Sequence, residues 1–148
     1  TISFENIKSK PTPSWFRGFS APIKFDSNLS VSEKIFLSSN DRDPFNRWDN
    51  AQSLWLEYIL NPEHVEEKEL FSMIKNLFNN DSDYALLSEM INLPAEQIIH
   101  QHVGQIDVQE VSHKRKKSSL SIANNFKALF LETYQKLNYK KVFDLSSK

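Results

Sequence analysis

The residues best suited to ligate a metal ion are the four histidines of this 148-residue chain: His64, His100, His102 and His113. Cysteine is absent from the sequence, so a thiolate site is excluded. His100 and His102 are two positions apart, and on a helix their side chains would point about 200° apart. The sequence therefore favours surface or packing histidines over a metal site.

A basic run, K-R-K-K at residues 114–117, is flanked by serines. Such a run can serve as a nuclear localisation signal or as a nucleic-acid contact. No aromatic residues are interleaved with it, and the formal net charge of the whole chain is −1. Electrostatic attraction to nucleic acid is therefore not expected. The pattern is more typical of a solvated helix face, and no nucleic-acid partner is predicted.

Arg47 and Asp49 could be read as a cation beside a catalytic acid. They are two positions apart on a predicted helix, so their side chains diverge, and no nucleophile accompanies them. We interpret both as structural charges that pair with neighbouring helices. The sequence thus offers no catalytic, cofactor-binding or metal-binding residue.

The composition indicates a soluble globular protein, since 39% of the residues are hydrophobic and 25% are charged. The longest apolar runs are far shorter than the ~20 residues of a membrane span. No signal peptide is visible, and the absence of cysteine is compatible with a reducing compartment. We therefore expect a cytoplasmic location and no membrane partner.

The first 25 residues differ from the rest of the chain. Ile2 and Phe4 alternate with polar residues, which is the period of a half-buried strand. Two prolines then favour an extended path, and A-P-I-K-F at residues 21–25 could be a second short strand. Two such strands do not form a stable sheet alone, so this segment needs partners. The aromatic residues between these strands, Trp15, Phe16 and Phe19, could form a ligand-binding patch. A contact between the sheet and the helices explains them more simply.

From Ser30 onward the sequence predicts a series of helices. Ser30 with Glu33 forms a capping-box pattern. Capping side chains also precede Pro44 and Pro62 at first helical positions. The helix after Asp43 carries a broad apolar face that includes Trp48 and Trp55, and it should be central and buried. Further predicted starts are at Leu93-Pro94, with an end at Gly104, and at Asp107, from which a final long helix runs to about Asn138. Short loops between such helices suggest a helical array.

Two stretches carry a resemblance to a known family. The first is P-S-W-F-R-G-F-S-A-P-I at residues 13–23, and the second is F-N-R-W-D-N-A-Q-S-L at residues 45–54. Their order and spacing are similar to those of bacterial aminopeptidase N, and I-S-F-E-N at residues 2–6 resembles the final β-sandwich strand of that family. The resemblance implies a mainly α fold, an α-solenoid-like helical array preceded by a short β segment. It places residues 1–25 at the end of an incomplete β-sandwich domain and residues 26–148 in the C-terminal helical domain.

The resemblance also implies a parent enzyme that removes N-terminal amino acids from peptides. Zinc in that family is held by H-E-x-x-H and a downstream Glu in a separate catalytic domain. Neither H-E-x-x-H nor the family's G-x-M-E-N-type stretch occurs in this chain, which is therefore expected to bind no cofactor and to be inactive alone. Its expected partners are the catalytic and β-sandwich domains and, through them, peptides.

A different class of function is also compatible with the residues. The chain could be a free-standing helical scaffold that binds another protein in a groove between its helices. An H-E-x-x-H sequence upstream in the same open reading frame would favour the aminopeptidase segment, and its absence would favour the scaffold.

Overall fold

The computed structural model describes residues 5–18, 27–80, 83–103 and 107–138, and six α-helices are found there. They are α1 (Val31–Asn40), α2 (Pro44–Leu60), α3 (Glu67–Asn80), α4 (Tyr84–Ile91), α5 (Glu96–His100) and α6 (Val108–Asn138). Within the described ranges no residue belongs to a strand. The prediction of a mainly α helical array is confirmed.

The predicted β segment is only partly visible. Ile2 and Phe4, and the possible second strand at residues 21–25, lie outside the described residues. Residues 5–8, which would continue the first strand, are irregular and exposed, and Asn6 has a φ of 60°. The domain boundary at residue 25 stays a prediction.

Three helix starts follow the capping chemistry read from the sequence. Ser30 accepts a hydrogen bond from the backbone N–H of Glu33, whose carboxylate in turn accepts one from the backbone N–H of Ser30. Asp43 accepts from the backbone N–H of Asn46 and is followed by proline at the first helical position. Asp107 accepts from the backbone N–H of Gln109, 2.8 Å away. Each side chain satisfies a backbone donor that the helix itself leaves unpaired.

Two other predicted starts are wrong. Asn61 does not begin a helix but ends one: its N–H donates to the carbonyl of Glu57 in the last turn of α2. The next helix begins at Glu67, after a turn that places Val65 in the core, only 1% exposed. Similarly, α5 begins at Glu96 rather than at Pro94, because the intervening backbone is extended. A proline after a capping side chain or an apolar residue therefore did not fix the helix start at either place.

The core is organised around α2, which packs against α1, α4 and α6. Ala51, Leu54 and Trp55 are completely buried on its inner face. Trp48, which the sequence also placed in the core, is only half-buried at the edge of this cluster. A smaller cluster at the other end of α2 joins it to α5 and α6 through Ile59, Ile99 and Val111. The prediction that this helix is central and buried is confirmed.

Aromatic rings hold α6 against α3. Phe126 meets Phe71 edge-to-face, with ring centroids 5.1 Å apart, and it stacks with Phe130 at 5.9 Å. Phe130 in turn contacts Phe78 at 5.6 Å. Such ring pairs add about 0.5–1.5 kcal/mol each beyond their buried area.

None of the helices in the described part of the chain is long and apolar enough to cross a membrane.

Candidate functional site at the α1–α2 elbow

The most elaborate polar arrangement in the described residues lies where the chain enters the helices. We call residues 10–18 the lead segment and residues 41–43, between α1 and α2, the elbow. Lys10, at the start of the lead segment, pairs with Glu33 of α1 across 3.2 Å, although Lys10 itself is exposed. The stronger contacts are made by the other end of the lead segment, at the elbow itself.

Asp41 is the centre of these contacts, and its side chain is only 1% exposed. Its Oδ1 accepts from Nη2 of Arg17 at 2.6 Å and from the backbone N–H of Asp43 at 2.9 Å. Its Oδ2 accepts from the hydroxyl of Ser14. A buried carboxylate is tolerated only when several donors compensate its lost hydration. Two of these three donors belong to the lead segment.

Asp43 and Asn46 complete the arrangement from α2. The Nδ2 of Asn46 donates to the hydroxyl oxygen of Ser14 at 2.8 Å, and Asn46 is 5% exposed. The backbone N–H of Gly18 donates to Oδ2 of Asp43 at 2.5 Å. This bond requires a tight turn, and Gly18 adopts a φ of +68°, which a residue with a Cβ reaches only with strain. The lead segment is therefore held by three separate groups of the elbow and α2.

Electrostatics favour the charged form of Asp41. Burial alone would disfavour ionisation of this carboxyl. The hydrogen bonds from Asp43, Ser14 and Arg17, with the charge of Arg17, outweigh it and hold the pKa of Asp41 below its usual value. At neutral pH the elbow therefore presents a fixed negative charge toward the lead segment.

Sequence reasoning did not single out Asp41, Ser14 or Arg17. The sequence identified Asp43 as a helix cap but did not identify it as the acceptor for the backbone N–H of Gly18. The signal that was available is a pair of acids around a helix break, matched by a serine and an arginine three positions apart. That signal has no periodicity, because the two stretches meet only through the tertiary fold.

The four histidines remain apart from any metal-like cluster. Glu96 does precede His100 by four residues on α5, a helical spacing that sequence reasoning passed over. No group of three or more potential ligands is found in the described residues. His102 contacts the carbonyl of Ile98 through Nδ1 at 2.9 Å, and Nε2 of His100 is buried without a hydrogen-bond partner. Because a third ligand is missing from the described part, that buried nitrogen does not indicate a metal site.

The four residues of the basic run differ in exposure: two are exposed to solvent and two are half-buried. Lys116 and Lys117 are exposed on α6, as the solvated-face interpretation predicts. Lys114 is half-buried and pairs with Glu110 one turn earlier, at 2.9 Å. Arg115 departs from the interpretation: it is half-buried, and its Nε donates to the carbonyl of Pro94 at 2.8 Å. Arg115 therefore ties α6 to the connection between α4 and α5.

Arg47 and Asp49 have different surroundings. The Nε of Arg47 donates to the carbonyl of Ser38 in α1, 3.0 Å away, so this charge contacts a neighbouring helix as expected. Asp49 is exposed as a whole residue, but neighbouring atoms shield part of its carboxyl from water. This desolvation raises the pKa of Asp49. In the aromatic strip, Trp15 is 45% exposed and Phe16 is half-buried, while Phe19 lies outside the described residues.

The described residues thus belong to the class of helical-array proteins. In this array the lead segment is hydrogen-bonded to the buried carboxylate of Asp41. A family model described as "Domain of unknown function (DUF3458_C) ARM repeats" matches residues 31–148. The chain belongs to this family. The match begins at the first residue of α1 and includes every helix described above.

Curated relatives include aminopeptidase N of Escherichia coli (strain K12), 28% identical over 95% of this chain and 17% of the relative. Aminopeptidase N of Caulobacter vibrioides is 30% identical over 65% of this chain and 12% of the relative. Aminopeptidase N of Haemophilus influenzae is 26% identical over 90% and 16%. The chain thus spans less than a fifth of the length of these relatives.

Among solved structures, the crystal structure of Legionella pneumophila aminopeptidase A in complex with aspartic acid is similar to this chain. The TM-score is 0.72 at 25% sequence identity, over 87% of this chain and 16% of that one. The comparisons confirm the predicted resemblance to the C-terminal helical domain of aminopeptidase N.

Proposed function

We propose that this chain is a non-catalytic structural domain of a zinc-dependent aminopeptidase, in which the helical array helps to enclose the active-site chamber. The observation that carries the proposal is the family match over residues 31–148, together with aminopeptidase relatives of which the chain spans only 12–17%. If this chain makes up a similar fraction of its own full-length protein, the remaining length can contain a separate catalytic domain.

The donor groups of this chain do not fit the zinc that the family implies. H-E-x-x-H occurs nowhere in the 148 residues, and the described residues contain no group of three potential ligands. Three protein ligands and an open position are the usual minimum for a catalytic zinc. We therefore place the zinc and the peptide-cleaving residues in another domain of the same protein, and no catalytic step is assigned to this chain.

The proposed partners are the catalytic and β-sandwich domains, with peptide substrates reached only through them. Exposed apolar side chains support contacts of this kind, because isolated domains of longer proteins leave such surfaces uncovered. Leu120 and Leu131 are 54% and 52% exposed on α6. They are eleven residues apart and share one face of the helix, roughly opposite the face that buries Phe126.

Hydrolysis of an aminoacyl-anilide tests the proposal in two parallel assays. The purified 148-residue chain with added zinc should show no turnover, whereas the protein encoded by the full open reading frame should hydrolyse the substrate. Chelation should abolish the activity of the full-length protein, and zinc should restore it. Chelator-sensitive turnover by the chain alone would contradict the non-catalytic assignment.

The same full-length protein separates this proposal from the free-standing scaffold. An H-E-x-x-H sequence encoded upstream of residue 1 is expected for the aminopeptidase. A short reading frame without that motif, and without peptidase activity, would instead support the scaffold.

A further inference from the structure

Two nearly buried side chains of the helical array depend on the lead segment for their hydrogen bonds. Without that segment, Asp41 would keep only the backbone N–H of Asp43 as a donor. The Nδ2 of Asn46 would lose Ser14, its acceptor at 2.8 Å. The lead segment both covers the Asp41 carboxylate and supplies two of its three donors, so its burial and the compensation for its lost hydration arise together. The elbow is therefore built to receive another stretch of chain.

The chemistry of the elbow defines what it receives. Asp41 and Asp43 offer carboxylate oxygens, while Asn46 offers an amide donor. The matching groups on the lead segment are the hydroxyl of Ser14, the guanidinium of Arg17 and the backbone N–H of Gly18. These groups form the pattern Ser-x-x-Arg-Gly, in which the glycine supplies both the turn and the free N–H.

The lead segment lies outside the two buried clusters of the described residues, whose members begin at Val31. Its hydrogen bonds to Asp41, Asp43 and Asn46 therefore attach it separately from those clusters. Its aromatic residues are partly covered as well: Phe16 is half-buried and Trp15 is 45% exposed.

We propose that the elbow is a docking site for the Ser-x-x-Arg-Gly segment of the same chain, with Asp41 as its central acceptor. Docking holds the entering chain at a set angle to α1 and α2. We call the docked lead segment and the elbow together the joint. That the joint lies between two domains rests on the proposed function, whereas the docking itself does not.

Trypsin cleavage of the 148-residue chain after Arg17 tests the docking directly. In the wild type the guanidinium of Arg17 is engaged by Asp41, and the following N–H is bonded to Asp43, so cleavage at this bond should be slow. Asp41→Asn should speed it by about tenfold or more, since hydrogen bonds to charged groups are worth that factor. The far-UV circular dichroism of the helices should be unchanged.

Arg17→Ala provides a second measurement, because this residue is 52% exposed and lies outside both buried clusters, so the array should stay folded. Hydrogen exchange at the Gly18 amide should become about tenfold faster than in the wild type. The matched control is Arg42→Ala, which removes an exposed arginine of the elbow and should leave exchange at Gly18 unchanged. Equal exchange in the wild type and Arg17→Ala would overturn the proposal, as would an acceleration by Arg42→Ala of the same size.

Both measurements use only this chain, so they do not depend on the parent protein being an aminopeptidase. If the docking holds and the full-length protein has no peptidase activity, the proposed function fails while the joint stands. If peptidase activity is found but Asp41→Asn leaves cleavage after Arg17 unchanged, the joint fails and the proposed function stands.

Discussion

At the scale of single residues, burial separates side chains that the sequence treated alike. Trp48 and Trp55 are seven positions apart on α2, and the apolar pattern assigned both to the core. Trp55 is completely buried, and its Nε1 donates to the carbonyl of Met90 at 2.8 Å. Trp48 lies at the margin and contacts Phe45, with ring centroids 5.7 Å apart. Seven residues bring a helix back to within about 20° of the same direction, so both indoles share one face, and the difference lies in what packs over each part of α2.

Trp55→Ala should lower the free energy of unfolding by about 3–5 kcal/mol, because it removes a buried ring and leaves the Met90 carbonyl without its donor. For a chain of this length that corresponds to a fall of roughly 6–20 °C in the thermal midpoint. Trp48→Ala is the matched control and should cost clearly less. Thermal unfolding followed by circular dichroism measures both, and equal losses would show that Trp48 is also a core residue.

Arg115 and Lys116 are neighbours in the basic run with different environments. Arg115→Ala removes the donor to Pro94 and should cost about 1.5–3 kcal/mol, as expected for a charged hydrogen bond. Lys116→Ala changes an exposed side chain and should stay within about 0.5 kcal/mol of the wild type. Urea unfolding of the two variants distinguishes them. A loss at Lys116 as large as that at Arg115 would contradict the assignment of Arg115 as a tie between elements.

At the scale of elements, helix starts depend on hydrogen bonds that can be named. The capping box of α1 is charged: hydrogen bonds from the backbone and the hydroxyl of Ser30, with the contact to Lys10, lower the pKa of Glu33 to about 2. The connection between α4 and α5 depends instead on distant donors. Gln52 of α2 donates to the carbonyls of Glu89 and Asn92, and Arg115 donates to Pro94. Local capping sets the first kind of element end, and tertiary contacts set the second.

The capping box should make α1 sensitive to acid. The folded pKa of Glu33, about 2, is below the ordinary value of 4.5, so its carboxylate stabilises the fold above pH 4.5. That contribution is lost as the pH falls toward about 2. Glu33→Gln should therefore lower the thermal midpoint at pH 6, and the difference from the wild type should shrink between pH 5 and pH 2. Glu89→Gln, at an exposed site on α4, should not change the wild-type pH dependence. A constant difference at all pH values would contradict this account.

At the scale of the whole molecule, the described residues form a helical array that leaves Leu120 and Leu131 exposed on α6. Glu67 is itself exposed and links three helices: its carboxylate accepts from the hydroxyl of Tyr58 in α2 at 2.6 Å and from that of Ser121 in α6 at 2.5 Å. Burial, followed by the hydrogen bond to Glu67 and then the negative charge of that residue, raises the pKa of Tyr58 to about 12. Leu120 and Leu131, by contrast, are left exposed by the described part of the chain, as the proposed contacts with other domains require.

Leu120→Lys and Leu131→Lys should each leave the stability of the 148-residue chain within about 0.5 kcal/mol of the wild type. In the proposed full-length protein the same changes should lower the thermal midpoint, because burying an unpaired ammonium against another domain is costly. The isolated chain is the internal control. Unchanged midpoints in both proteins would show that no other domain covers this face of α6.

The sequence by itself determined the features that local chemistry controls. Caps at Ser30, Asp43 and Asp107 start α1, α2 and α6, because each satisfies a backbone donor within three residues. The central position of α2 followed from its apolar face, and the aminopeptidase N resemblance followed from the motifs at residues 13–23 and 45–54.

Only the tertiary structure decided the rest. Asn61 and Pro62 form an acceptable start to a helix in isolation, yet Asn61 ends α2 and α3 begins only at Glu67, after a turn in which Val65 is buried. Asp41 is an ordinary surface acid by its sequence neighbours, and its burial depends on Ser14 and Arg17, more than twenty positions away. Contacts over such separations leave no period in the sequence, since each is made by one residue at one place in the fold.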